Sequence, residues 1–386
     1  MRSADARTRR TPRCLGAGGE RGIALVVAIV ALVVIGAIVA GTFFVSSLEQ
    51  KTAVNAVDAA QAYQAAEAGI VGAVANWDPA YNELGIDASV TATRDTIARG
   101  VSASVTVSRL NPNLFLVRSV GTRRGATQTL ASVLRLVTAD PHTSAAVTTA
   151  SDVSLTGGAD IDGASAVPPD WSSCSPAHGV AGVRTGGRLH TSGHASVVGT
   201  PATIQDDSTS TDAALRAAFD QLARAATVSL SGGSGPGAVA AFGAVRPSVT
   251  GSPAVCNRAD PSNWGEPARS GAHVAPCTGY SPVVYIDGNA RIDGPGRGQG
   301  VLLVRGNLSI SGGFAWVGLV LATGQVKIAD ANGVVTGALI AHDVSVEGAG
   351  SAGNPAVAYS RCALDYALRH AAVARPLATR AWVQMF

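Results

Sequence analysis

Residues 23–48 read IALVVAIVALVVIGAIVAGTFFVSSL and run directly into 49–76, EQKTAVNAVDAAQAYQAAEAGIVGAVAN. The first stretch contains no Asp, Glu, Lys or Arg. As a helix it rises about 39 Å at roughly 1.5 Å per residue, enough to cross a hydrocarbon core of about 30 Å. It is too long for the apolar part of a cleaved secretory signal, and no Ala-x-Ala-like site occurs between it and Glu49, so it reads as a membrane span. The flank before it is short and basic, with Arg2, Arg7, Arg9, Arg10, Arg13 and Arg21 against Asp5 and Glu20. The positive-inside rule keeps that flank in the cytoplasm and exports the chain beyond Leu48.

The polar continuation lacks Pro and is rich in Ala, Gln and Val, so nothing stops the helix at the membrane surface. One helix over 23–76 is expected, about 80 Å long. In its exported half Ala53, Ala56, Ala60, Tyr63, Glu67, Ile70 and Val74 recur at helical spacing and form one stripe. That stripe is expected to face the next domain. Glu67 would then accept backbone donors from that domain, or reach a neighbouring subunit.

Arg21-Gly22-Ile23-Ala24-Leu25-Val26-Val27, the apolar run, Leu48-Glu49, Asn55 and Ala65-Ala66-Glu67-Ala68-Gly69-Ile70 together resemble the N-terminal region of PilX-type minor pilins. The resemblance covers about 50 residues and rests on a basic leader, a Gly and two motifs at fixed distance. It implies cleavage by a prepilin peptidase after Gly22, with Ile23 as the new N-terminus; Gly18 and Gly19 lie upstream as other cut positions. It also implies a structural role among other pilin subunits and the pilus assembly machinery. Shaft-forming pilins carry a Glu at the fifth residue of the mature helix, understood to neutralise the terminal amine of a neighbouring subunit. Here that position is Val27, and the first carboxylate is Glu49.

At 386 residues, 47% hydrophobic and with 45 Gly, the chain is too large for one compact core and too apolar for disorder. Two exported domains are expected after a 1–22 leader and the 23–76 helix: a sheet domain at 77–139 and a Gly-rich domain at 140–386. The formal charge of +3 falls to about −1 without residues 1–22, which leaves no electrostatic footprint for nucleic acid. Cys14 lies in the leader. Cys174, Cys256, Cys277 and Cys362 lie in the exported part and allow three pairings. The expected pairs are Cys256 with Cys277 and Cys174 with Cys362.

Trp77-Asp78-Pro79 and the turn formers after it end the helix. Val101, Ala103, Val105 and Val107 then alternate with Ser102, Ser104, Thr106 and Ser108, and Asn111-Pro112-Asn113 turns the chain into Leu114 to Val120. With 127–137 these make a small antiparallel sheet that covers the helix stripe.

From Val283 the chain reads in sixes: VVYIDG, NARIDG, PGRGQG, VLLVRG, NLSISG, GFAWVG, LVLATG, QVKIAD. Gly288, Gly306 and Gly324 recur at one interval, as do Gly300 and Gly318; one extra residue then shifts the phase to Ala338 and Ala356. Three short sides per turn of about 18 residues describe a parallel β-helix, with Gly at corners. The overall class is therefore α+β. Residues 150–163 and 182–199 share this grammar, so the β-helix is expected to begin there. A helical and loop insertion at 205–280, with an amphipathic helix over 212–225 capped by Asp212, would interrupt it. Asn263-Trp264-Gly265-Glu266-Pro267, Pro276-Cys277, Tyr359-Ser360-Arg361-Cys362-Ala363 and Arg380-Ala381-Trp382-Val383 resemble the large exported domain that some PilX-type proteins carry.

Candidate chemistry is thin. Cys174-x3-His178 with His190-x3-His194 has metal-ligand spacing, but residues four apart on a strand sit over 13 Å apart at roughly 3.3 Å per residue. Asp160 with Asp162, or Asp287 with Asp293, are paired carboxylates of the kind a glycan-cleaving β-helix uses, yet each pair stands beside a Gly where a turn is due. No nucleophile elbow, phosphate loop or His-Glu-x-x-His pair occurs. The expectation is a structural minor pilin-like subunit with no catalytic, metal or cofactor site, its assembly residues being Val27, Glu49 and Glu67. The alternatives are an uncleaved, membrane-anchored β-helix scaffold like the bactofilins and, further off, an envelope enzyme acting on glycan.

Overall fold

The computed structural model describes residues 21–386 apart from 142, 169–170, 172–173, 175–177, 236, 268–274, 330–333, 349–354, 378–381 and 386. The leader through residue 20, with Cys14, lies outside the described residues.

A single helix, α1 (Arg21–Ala75), runs from the described N-terminus through both the apolar and the polar stretch. The part from Ile23 is long and apolar enough to cross a bilayer. A 3-10 turn over Pro79–Glu83, capped by the Asp78 carboxylate on the Ala80 amide, ends it. Four antiparallel strands come next in meander order: β1 (Ser89–Ala98), β2 (Val101–Asn111), β3 (Leu114–Arg123) and β4 (Ala126–Val137). Val105, Val107, Phe115, Val117, Leu130 and Leu134 pack from this sheet onto Ala66, Ile70 and Ala73 of α1.

The helix stripe differs from the one the spacing gives. Ala53, Ala56, Ala60, Tyr63 and Glu67 are exposed, and the buried face is Asp58, Ala62, Ala65, Ala66, Ile70 and Ala73. Close approach decides between the two faces. A Cβ on Gly121 of β3 would stand 2.6 Å from the Ala66 backbone nitrogen, so only the smallest helix residues fit against the sheet there.

The rest of the chain builds parallel strands. Val283–Asp287, Gly296–Val304, Phe314–Ala322 and Val334–Ala341 pair in succession within an eleven-stranded sheet. Ala290–Ile292, Leu308–Ile310, Gln325–Ile328 and Asp343–Gly348 pair likewise within a seven-stranded one. Gly300, Gly318 and Gly337 are stacked partners; Gly318, at φ 131°, lies in backbone space that side-chain-bearing residues avoid. The extra residue thus moves the Gly column to Gly337, and Val335 pairs with Val357, so Ala338 and Ala356 are not successive partners. A side-chain ladder adds to the register: Asn289 Oδ1 accepts from the Asn307 amide and Asn307 Oδ1 from the Gln325 amide, both at 2.9 Å and 18 residues apart.

The two sheets differ in how they meet solvent. In the seven-stranded sheet Ile292, Ile310, Ile328 and Val346 are buried while the alternate residues face out. In the eleven-stranded sheet both faces are covered, so 301–304, 319–322 and 338–341 are apolar throughout. The covering elements are α2 (Asp212–Ala223), through Leu215, Phe219 and Leu222, and α3 (Arg361–His370), through Leu364 and Ala367. The N-cap of α2 is Thr211, whose hydroxyl accepts from the Ala214 amide; Asp212 instead meets His342 Nδ1 at 2.7 Å. An extended residue just before the helix suits the cap, and the first-turn acid behind it complements the helix dipole.

The order of the parallel rungs also departs from expectation. The early strands do not precede Val283–Asp287. Ala145–Thr149 pairs with Val334–Ala341, and outward from it come Ala181–Thr185 and Thr203–Ile204, so the early segment extends the late end of the stack. After α2 the chain resumes at the opposite edge, where Val228–Ser231 pairs with Val283–Asp287. After α3 it returns to the antiparallel sheet, where Val373–Pro376 and Trp382–Met385 both pair with β4.

Candidate assembly surface

The helix and what it carries form the candidate surface. Ile23 is 69% and Val27 60% exposed, and among the described residues the apolar face around them is left uncovered. Glu49 is exposed and is the first carboxylate on the helix. Beyond it Val57, Tyr63, Glu67 and Val71 form an exposed face, opposite the small residues that meet the sheet. Glu67 therefore takes no part in the sheet contact.

A carboxylate that the sequence did not single out does. Asp58, 8% exposed, lies 3.5 Å from Arg123 Nε at the end of β3, and Arg123 also donates to the Arg99 carbonyl at 2.6 Å. One guanidinium thus ties the β1–β2 turn to the helix. An Asp on an Ala-rich helix face four residues before the next buried position was the available signal.

At the other end of the sheet a second joint links the helix to the parallel region. Trp77 Nε1 donates to Asn82 Oδ1 at 2.8 Å, and Asn82 Nδ2 donates to the Arg369 carbonyl at 2.8 Å, near the end of α3. Arg369 lies 3.7 Å from Glu83, and the Trp77 ring stands edge-on to Phe115 at 5.3 Å. Asn82 is fully buried, so its amide is a fixed element of this contact.

The cysteines are brought together as Cys174–Cys362 and Cys256–Cys277. The first ties the segment beside Trp171 to the start of α3, where Trp171, Val317, Ala363 and Tyr366 form a small apolar cluster. The second lies beside Asn263, whose amide donates to the Ser248 and Asn257 carbonyls.

The residues weighed for chemistry do not converge. Cys174 is held in its disulfide, His178 and His194 are exposed, and His190 lies 3.8 Å from Asp152. Asp160 accepts from Ser196 Oγ at 2.6 Å, and Asp162 from the Ala164 amide at 2.7 Å. Asp287 accepts from the Tyr285 hydroxyl and Asp293 pairs with Arg291. Among the described residues no group of three or more His, Cys, Asp or Glu is placed to hold a metal ion.

Comparison with known proteins locates one family signal. The PilX N-terminal family model matches residues 21–71, the apolar half of the helix and most of the face that meets the sheet. No curated protein matches. Among solved structures, the competence-associated pilin ComZ from Thermus thermophilus aligns over 85% of this chain and 98% of its own at 15% identity, with a TM-score of 0.24.

Proposed function

We propose that this chain is a minor pilin-like structural subunit of a type IV pilus or related filament. The observation that carries this reading is α1 itself. One helix presents an uncovered apolar half and then docks a small antiparallel sheet through Ala and Gly, and the PilX N-terminal match spans both halves. An apolar helix face of this length has two environments that remove it from water, a bilayer and the core of a helical assembly. A pilin uses both in turn.

The finer steps rest on that reading. Prepilin peptidase cuts after Gly22 and frees Ile23. The basic flank holds the N-terminus in the cytoplasm, so the sheets stand in the periplasm or on an extracellular filament. The stacked strands form a parallel β-helix of about 18 residues per coil, inserted between β4 and the closing strand Val373–Pro376 of the pilin-like sheet. Its partners are other pilins and the assembly machinery. Placement at the filament tip comes from Val27. Without a carboxylate there, the subunit has nothing to offset an amine buried above it, and an uncompensated ion in apolar surroundings costs several kcal/mol. The tip has no subunit above it.

Immunogold labelling of filaments with antibody raised against residues 283–348 tests the placement. Grains at one end, with few copies per filament, are expected. Labelling along the whole shaft would remove the tip assignment.

A further inference from the structure

In the eleven-stranded sheet one row of laterally paired residues, from Thr203 through Val147 and Val320 to Val228, crosses eight strands. At roughly 4.8 Å per strand that row is about 34 Å long. Its outermost strands, Thr203–Ile204 and Val228–Ser231, follow one another in the chain, and among the described residues each pairs on one side only. The link between them, residues 205–227, carries α2. We propose that this link is a strap that ties the two ends of the stack together, so that either end opens only when α2 lifts from the sheet.

The link stays on the stack and is fastened to successive rungs. Just past one end, Asp207 pairs at 2.9 Å with Arg184 of the neighbouring rung Ala181–Thr185. At the start of α2, Asp212 meets His342 Nδ1 at 2.7 Å, beside the rung Val334–Ala341. Farther along, the Phe219 ring lies 6.0 Å from that of Tyr285. At the other end the Thr227 amide donates to the Val283 carbonyl and the Thr227 hydroxyl accepts from the Val283 amide, both at 3.0 Å. Leu215, Phe219 and Leu222 are buried against the sheet, so lifting α2 exposes three large apolar side chains. A stack in which each rung touches only its neighbours ordinarily frays at each end independently. The last coil has little burial to prevent that. None of residues 187–206 is buried, and Leu189, Val197 and Thr203 are half-buried where their partners one rung in, Val153, Ile161 and Val183, are 1% exposed or less. Residues 205–211 cannot follow this coil outward while α2 stays down, so the helix restrains an end of the stack that it does not cover.

Amide hydrogen exchange on the full-length protein in detergent reads this coupling at Ser192, His194, Ser196 and Thr200 of the last coil, whose amides donate to the Leu155, Gly157, Ala159 and Val180 carbonyls. Leu222→Ala loosens α2 near the opposite end of the stack and should speed exchange at those four amides by about tenfold or more. A Gly-Ser insertion of about ten residues between exposed Ser208 and Thr209 gives the strap slack. With that insertion the last coil should exchange fast already, and Leu222→Ala should add nothing there. Phe219→Leu, a smaller loss, serves for the same comparison should Leu222→Ala not fold. Unchanged exchange in the last coil with the substitution or with the insertion alone would overturn the proposal. So would the same acceleration by the substitution with and without the insertion, because the sheet and not the strap would then carry the effect.

Discussion

Two glycine-to-alanine changes, at Gly121 and Gly72, should have opposite signs. Gly121 is buried in β3 where the sheet meets α1, and a Cβ there would come within 2.6 Å of the Ala66 nitrogen. Ordinary carbon contacts lie near 3.5–4.0 Å, so helix and sheet must part by about 1 Å. The atoms in the way are helix backbone, which cannot rotate aside. Overpacking costs typically 1–3 kcal/mol, and this site belongs at the upper end, about 3 kcal/mol. Gly72 of α1 has nothing within 4 Å of where its Cβ would stand. Gly72→Ala should therefore stabilise by roughly 0.8–1.0 kcal/mol through helix propensity. Amide hydrogen exchange across 58–75 and β3 reads both effects locally, without assuming that the chain unfolds in one step. Gly121→Ala should speed exchange there by about a hundredfold, and Gly72→Ala should slow it several-fold. Unchanged protection in Gly121→Ala would refute the assigned helix face.

Ile310, 1% exposed, points into the parallel core, so Ile310→Asp should destabilise by several kcal/mol in thermal denaturation. Arg305→Glu should cost only about 1 kcal/mol, from lost contacts with the Phe219 and Tyr285 rings at 5.7 and 5.6 Å; equal losses for the two would void the register. Burial raises the Asp207 carboxyl, but hydrogen bonds from the Thr209 amide and hydroxyl and from Ser210, together with Arg184, hold it below the usual carboxylate range. Its contribution is therefore present above an unfolded pKa of about 3.9 and is lost as pH falls through the lower folded value. Asp207→Asn should flatten the acid limb of the stability profile, and an unaltered limb would contradict that. Reduction of Cys256–Cys277, 21 residues apart, should cost about 3 kcal/mol by chain entropy, so Cys256→Ser should melt markedly lower; an unchanged melting temperature would exclude a stabilising bond.

How much of the fold was legible depends on what each element is held by. The span of α1 is written in hydropathy, and the late parallel strands in the recurrence of Gly288, Gly306 and Gly324. The helix face was not legible, because an Ala-rich helix offers two stripes at helical spacing. The choice between them turns on how closely Gly121 brings the sheet. Rung order was hidden for a different reason: a repeat says what one rung contains, but a parallel stack adds rungs equally well at either end. The chain used both ends, with α2 carrying it between them. Asn289 and Asn307 held the same interval as the glycines and were the overlooked mark of the corner. The helix α3 and the return of Val373–Pro376 to β4 left no periodic trace, since one is short and the other pairs with a strand far away in sequence.

The central claim is that this is a processed filament subunit, and the most direct measurement is the intact mass of the protein recovered from sheared surface filaments. The account predicts that the protein is present in that fraction with Ile23 at its N-terminus. Protein confined to the membrane fraction, with a mass that still includes Arg2 to Arg21, would contradict it.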